Sequence, residues 1–269
     1  MGDFIIRTDY GTEIKTYNHG QSRILNAADH NDVVIVLGPA GTGKTFVSVA
    51  LALREIQDGS TDSLMLTRPA VQAGEDLGFL PGELSEKLQP YMAPFYSALR
   101  KVLDQANYHN YHENGVISYE PLGFLRGQTI NGCVVLDEAQ NATQDQLEML
   151  LTRLGKKGSA FITGDPSQTD LPGHVTGALD RVGAILGHIH GIKIVELSEE
   201  DIVRHRIVRD VILAYREERK TPDPPKSKSR VNKLNNYDQE TDQFAQRLGS
   251  GLKQDAQHYE NGQSSSKMQ

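Results

Sequence analysis

A single cysteine, Cys133, occurs in the chain, so no internal disulfide can form, and a lone thiol inside an apolar stretch fits a reducing compartment. Long hydrophobic runs are equally scarce. Stretches such as Val33–Leu37 fall far short of the roughly 18 residues that a membrane span requires, and Met1-Gly2-Asp3-Phe4 is not a basic flank leading into an apolar core. The expectation is a soluble, unexported, cytoplasmic protein with no membrane partner. Positive charge is not in excess either. The formal net charge is -7, which excludes a surface coated for undirected nucleic-acid binding but leaves room for a local basic groove. No repeat of 20 to 50 residues recurs, so solenoids and propellers are excluded. His109, His112, His188 and His190 lack companion cysteines or an H-E-x-x-H helix, and are read as surface residues.

What the sequence does contain is an alternation. Between Asn31 and about Arg219, short β-branched apolar runs alternate with segments of helical period, the pattern of an α/β fold with a mostly parallel central sheet. Five strands are predicted: Val33–Leu37, Ser63–Thr67, Cys133–Leu136, Ala160–Thr163 and Ile192–Glu196. One helix is predicted over Gly43–Gln57, stopped by Asp58-Gly59, and another over Thr143–Leu154, begun by a threonine cap and ended by Gly155. The glycine-rich stretch Pro69–Gly82 reads as a surface insertion. A helix from Glu83 to about Asp104 is expected after it, interrupted at Pro90 and Pro94. Beyond Lys220 the composition turns to Pro, Ser, Gln, Asn and Lys, too poor in apolar groups to offset the entropy of ordering. The expected organisation is one RecA-like P-loop NTPase domain over 1–220 and a disordered polar tail over 221–269. That tail carries seven of the basic and six of the acidic residues, so it is not a polybasic arm.

Three segments carry chemistry. Gly38-Pro39-Ala40-Gly41-Thr42-Gly43-Lys44-Thr45 matches G-x-x-x-x-G-K-[ST] directly after a predicted strand and before a predicted helix. Its glycines let backbone N–H groups close around phosphates, the helix N-terminus adds positive potential, Lys44 reaches the β and γ phosphates, and the Thr45 hydroxyl ligates Mg²⁺. Val134–Leu136 leads into Asp137 and Glu138; Asp137 is expected to hold Mg²⁺ through its water shell and Glu138 to orient and deprotonate the attacking water. Read alone, two acids at a strand end are as well explained by a solvated turn. Thr163-Gly164-Asp165-Pro166-Ser167-Gln168 closes another strand, where Gln168 is a candidate γ-phosphate sensor or, more blandly, part of a chain reversal. Arginines in Thr67-Arg68-Pro69 and Arg204-His205-Arg206 are candidates for a phosphate contact or plain surface cations.

Together these segments resemble the PhoH-like ATPase family, related to superfamily one helicase cores. The resemblance extends to Thr67-Arg68-Pro69-Ala70-Val71, Gly74–Gly82, Leu136-Asp137-Glu138-Ala139-Gln140-Asn141 and Gly164–Pro172, and covers about 16–218. It implies that Gln21 reads adenine, that Arg68 faces nucleic acid, and that Arg204 contacts phosphate. The family usually shows Arg-His-Pro where this chain has Arg204-His205-Arg206, so an additional cation stands beside Arg204. The implied activity is Mg²⁺-dependent ATP hydrolysis coupled to RNA or single-stranded DNA. One P-loop unit is half of what a helicase uses, so a homo-oligomeric ring such as a hexamer is expected, with an arginine completing the neighbour's site. Two other functions fit a P-loop: a nucleotide-gated binding module with little turnover, and a small-molecule kinase. The kinase is disfavoured because Glu138 would activate water against it.

Overall fold

The computed structural model describes residues 2–69 and 84–204 together with scattered positions between 207 and 218. The chain divides into two units, Met1–Arg209 and Asp210–Gln269, and the first carries the fold described here. The expected insertion, apart from Pro69, and the expected tail both lie outside the described residues, as do His205 and Arg206.

The chain opens with a hairpin, β1 (Phe4–Arg7) and β2 (Glu13–Lys15), followed by α1 (His19–Ala28). Next come β3 (Val33–Leu37), α2 (Lys44–Gln57), β4 (Leu64–Arg68), α3 (Leu84–Val102), α4 (Gln105–Glu113) and β5 (Ile117–Pro121). The remainder is β6 (Cys133–Leu136), α5 (Gln144–Leu151), β7 (Ser159–Gly164), α6 (Val182–Leu186) and β8 (Ile192–Glu196). Strands β3 to β8 form one six-stranded sheet in the order β5-β4-β6-β7-β3-β8, parallel at every pairing. This is the expected α/β architecture. Parallel strands covered on both faces read as unbroken β-branched runs, which is why Val33–Leu37 and Cys133–Leu136 were visible at once. Along β3, Val34 and Val36 join a core with α1, α2 and α3, whereas Val33 and Ile35 join a second core with α5 and α6 on the other face.

Among the described residues, three strands escaped prediction. β1 and β2 form a separate antiparallel pair, and Ile5 and Ile6 of β1 are buried in the first core. β5, Ile-Ser-Tyr-Glu-Pro, is an edge strand half-covered along its length, so its apolar signal is diluted, and Pro121 is tolerated at its end. The helix expected to break at Pro90 and Pro94 does not: α3 runs through both over 19 residues. Its C-terminal half is anchored by Phe95, Leu99 and Val102 in the core, and such packing outweighs the lost backbone hydrogen bonds. α5 stops at Leu151, three residues short of expectation, and Thr143 caps it in a capping box with Gln146.

Candidate nucleotide site

All six parallel strands end at one edge of the sheet, and every predicted chemical segment emerges there. The loop after β3 turns through positive φ at Gly38, Gly41 and Gly43. At Gly38 a Cβ would stand 2.7 Å from the Leu197 backbone oxygen, so glycine is required by contact as well as by conformation. Thr42 points inward, its hydroxyl donating to the Pro39 carbonyl at 3.0 Å, while Ala40 sits exposed near the loop's turn. Lys44 lies against the loop, its Nζ donating to the Gly38 and Pro39 carbonyls at 2.6 and 2.8 Å.

β7 lies between β3 and β6 in the sheet. Its end therefore falls between the phosphate loop and the acids. The Gly38 N–H donates to the Gly164 carbonyl at 3.1 Å on one side, and on the other the buried Thr163 hydroxyl donates to Asp137 Oδ1 at 2.6 Å. Asp137 Oδ1 also accepts from the Thr45 hydroxyl at 2.8 Å, which joins the helix that follows the P-loop to the end of β6. A hydroxyl against a buried carboxylate is a hard-oxygen pair of the kind that holds Mg²⁺, and these two residues fit that ion.

Glu138 is the only non-glycine residue with positive φ among those described, at φ 56 and ψ 38. A left-handed glutamate costs on the order of 1 to 3 kcal/mol, and such strain gathers at functional sites. The conformation leaves the side chain 47% exposed beside Asp137, which is almost fully buried. Gln140, itself buried, steers it: Nε2 donates to Glu138 Oε2 at 2.5 Å, and Oε1 accepts from the Asp165 N–H at 3.1 Å. Asp165 in turn accepts from Gln168 Nε2 at 2.8 Å and from the Ser167 hydroxyl at 2.7 Å. Gln168 is thus brought to the right edge of the sheet, but its amide is tied to its own turn.

Gln21 is buried below the P-loop, donating to the Thr42 carbonyl at 3.0 Å and accepting from the Tyr17 N–H at 2.9 Å. Its position braces Gly43, where a Cβ would meet Gln21 Nε2 at 2.8 Å. Arg204 reaches the loop of its own chain: the Val203 N–H donates to the Gly41 carbonyl at 3.0 Å, and a Cβ at Gly41 would lie 2.8 Å from Arg204 Cγ. Asp201 fixes this segment to the start of α1 by accepting from the Gly20 N–H. Arg68, expected to face nucleic acid, turns inward instead. Its guanidinium pairs with Asp137 at 2.7 Å and Glu138 at 3.3 Å, and the side chain is 16% exposed. Leaving two acids together without a counter-ion would be costly, and the end of β4 lies beside the end of β6.

Sequence reasoning assigned no role to Thr163 or Gln140, although both stand inside motifs it had singled out.

The family model of PhoH-like proteins matches 13–216, well over half of the chain. The chain belongs to the PhoH-like family. Its relatives include the PhoH-like protein of Bacillus subtilis (strain 168), 44% identical over 78% of this chain and 66% of that one, and that of Mycobacterium leprae (strain TN), 44% identical over 80% and 61%. Protein PhoH of Escherichia coli (strain K12) is 37% identical over 74% and 57%. The chain therefore spans 57 to 66% of the length of these relatives. Among solved structures, the Pif1 helicase of Candida albicans aligns over 69% of this chain and 40% of its own at 13% identity and a TM-score of 0.36. The DUF1998 helicase MrfA, in a structure bound to DNA, gives 10% identity and 0.39. Scores at that level carry nothing about what the PhoH-like site does. The PhoH-like segments quoted from the sequence fall within described residues, except the stretch from Ala70 to Gly82 and the pair His205-Arg206.

Proposed function

We propose that this chain binds ATP with Mg²⁺ on the Gly38–Thr45 loop and hydrolyses it, with Glu138 as the base. The observation that carries this reading is the strained Glu138 beside an Asp137 that is already joined to Thr45. A binding-only loop has no need to hold a glutamate in the left-handed region next to the acid that accompanies Mg²⁺.

Mg²⁺ bound with the nucleotide would neutralise charge developing on the phosphates. Thr45 and Asp137 would hold it. The chain's own part is positional. Lys44 exchanges its carbonyl partners for phosphate oxygens, and the positive-φ glycines present backbone N–H groups to them. Glu138 accepts the proton of the attacking water, oriented by Gln140, and Gln168 and Arg204 serve as γ-phosphate contacts from opposite sides of the loop. Gln21 sets the shape of the P-loop and reads adenine only through an edge not spent on Thr42 and Tyr17. Coupling to RNA or single-stranded DNA, a cytoplasmic setting and assembly into a homo-oligomeric ring complete the proposal. The coupling rests on the resemblance of the motifs and the ring on the single P-loop unit, and light scattering in solution with and without nucleotide tests the ring.

A nucleotide-gated module with little turnover is the competing reading, and one observation favours it: both carboxylate oxygens of Glu138 are engaged, by Arg68 and by Gln140. Phosphate release from ATP and Mg²⁺, with and without single-stranded RNA and DNA, decides between them. The hydrolase reading expects Glu138→Gln to lower turnover by about a hundredfold. Equal release by native protein and variant would overturn it.

A further inference from the structure

Arg68 remains unexplained by that reading. Its Nη2 donates to Asp137 Oδ2 at 2.7 Å and to Glu138 Oε1 at 3.3 Å, and its Nε donates to Asp137 Oδ2 at 3.2 Å. The third nitrogen, Nη1, donates to the Tyr91 carbonyl in α3 at 2.8 Å, and Cζ lies 5.7 Å from the centre of the Phe95 ring. One cation thus bridges both acids of the site, gripped from the far side by α3.

We propose that Arg68 is a displaceable counter-ion of Asp137 and Glu138, a positioning residue that must leave Glu138 before water can be activated and that competes with Mg²⁺ for Asp137. The chemistry follows from charge and geometry. A guanidinium forked onto Asp137 Oδ2 occupies the carboxylate edge opposite the Thr45 hydroxyl. A second, divalent cation a few ångströms away in this half-buried setting is repelled by it, since the interaction is weakly screened there. At Glu138, the oxygen that accepts from Arg68 is withheld from water. Tyr91 and Phe95 hold the guanidinium to α3, so a shift of α3 against the end of β4 is the motion that frees the acids.

The effect on turnover rests on the hydrolase reading; the effect on Mg²⁺ does not. The test therefore uses two readouts on the full chain, native, Arg68→Ala and Arg68→Lys. The first is binding of a fluorescent, non-hydrolysable ATP analogue as Mg²⁺ is titrated, and the second is steady-state phosphate release. Arg68→Ala is expected to bring the half-saturating Mg²⁺ concentration down by about tenfold and to raise kcat several-fold with little change in KM. Arg68→Lys keeps the charge and should keep a near-native Mg²⁺ requirement. Should the alanine variant melt early, Arg68→Gln removes the charge while retaining N–H donors toward Asp137. An unchanged Mg²⁺ requirement in the neutral variants overturns the proposal. So does weaker analogue binding at saturating Mg²⁺, which would make Arg68 a phosphate ligand, or a fall in kcat. If native protein releases no more phosphate than Glu138→Gln, the hydrolase reading fails, while the Mg²⁺ titration still decides the place of Arg68.

Discussion

Replacing Thr163 by valine removes a single hydroxyl at the centre of the site, one that also reaches the Leu136 carbonyl at a longer 3.4 Å. Thr163 is fully buried at the end of β7, and its hydroxyl donates to Asp137 Oδ1 at 2.6 Å. Valine has nearly the same shape, so no cavity opens and the substitution removes the hydroxyl alone. Hydrogen bonds to charged groups contribute about 1.5 to 3 kcal/mol, more than a neutral pair. Asp137 would keep Thr45 on one oxygen and Arg68 on the other, so the loss should fall in the lower part of that range, about 1.5 to 2 kcal/mol. In a domain of about 200 residues that is a fall in Tm of roughly 3 to 8 °C. The function should suffer separately. With its buried tether gone, Asp137 can pivot, and we expect kcat about tenfold lower, or about 1.4 kcal/mol, together with a higher Mg²⁺ requirement. Scanning calorimetry and phosphate release across a Mg²⁺ titration measure both, and Thr163→Ser, which restores the hydroxyl, should recover most of each. A valine variant that melts at or above the native temperature with native Mg²⁺ dependence would show that Thr163 only fills space between β3 and β6.

Three other outcomes are expected. Gln140→Leu should lower kcat about tenfold with KM nearly unchanged, because Glu138 loses its steering donor, and should cost about 0.5 to 1.5 kcal/mol of stability from the lost hydrogen bond to the Asp165 N–H; thermal melts and initial rates check the pair. Gly38→Ala should abolish detectable binding of a fluorescent ATP analogue, since its Cβ would meet the Leu197 backbone at positive φ, and retention of native affinity would mean that the loop can shift. Burial pushes the Glu55 carboxyl above its ordinary range, against the pull of the Ser159 hydroxyl at 2.6 Å and the nearby Arg54. A raised pKa means that native stability falls as pH rises through it, so Glu55→Gln should melt higher than native protein at about pH 8 and the gap should close by about pH 4. A gap that widens toward acid would refute the assignment.

Most of the frame of the site was legible in the residues themselves. A glycine-rich loop between an apolar run and a helical period, or two acids at the end of Cys133–Leu136, are local patterns, and local patterns survive in one dimension. Strands covered on both faces announced themselves for the same reason. The half-covered β5 and the short hairpin β1–β2 did not, because partial burial dilutes the apolar signal on which such reading depends. Pro90 and Pro94 misled it, since tertiary burial of Phe95 and Leu99 decides that α3 continues. Strand order could not be read either. Only the sheet puts β7 between β3 and β6, and with that it makes Thr163 a ligand of Asp137 and Gly164 a neighbour of Gly38. The direction of Arg68 is likewise a tertiary fact. From the sequence it was a strand-end cation free to face solvent or nucleic acid; two carboxylates on the adjacent strand end and a carbonyl from α3 draw it inward, because charges in a half-buried cleft must be paired.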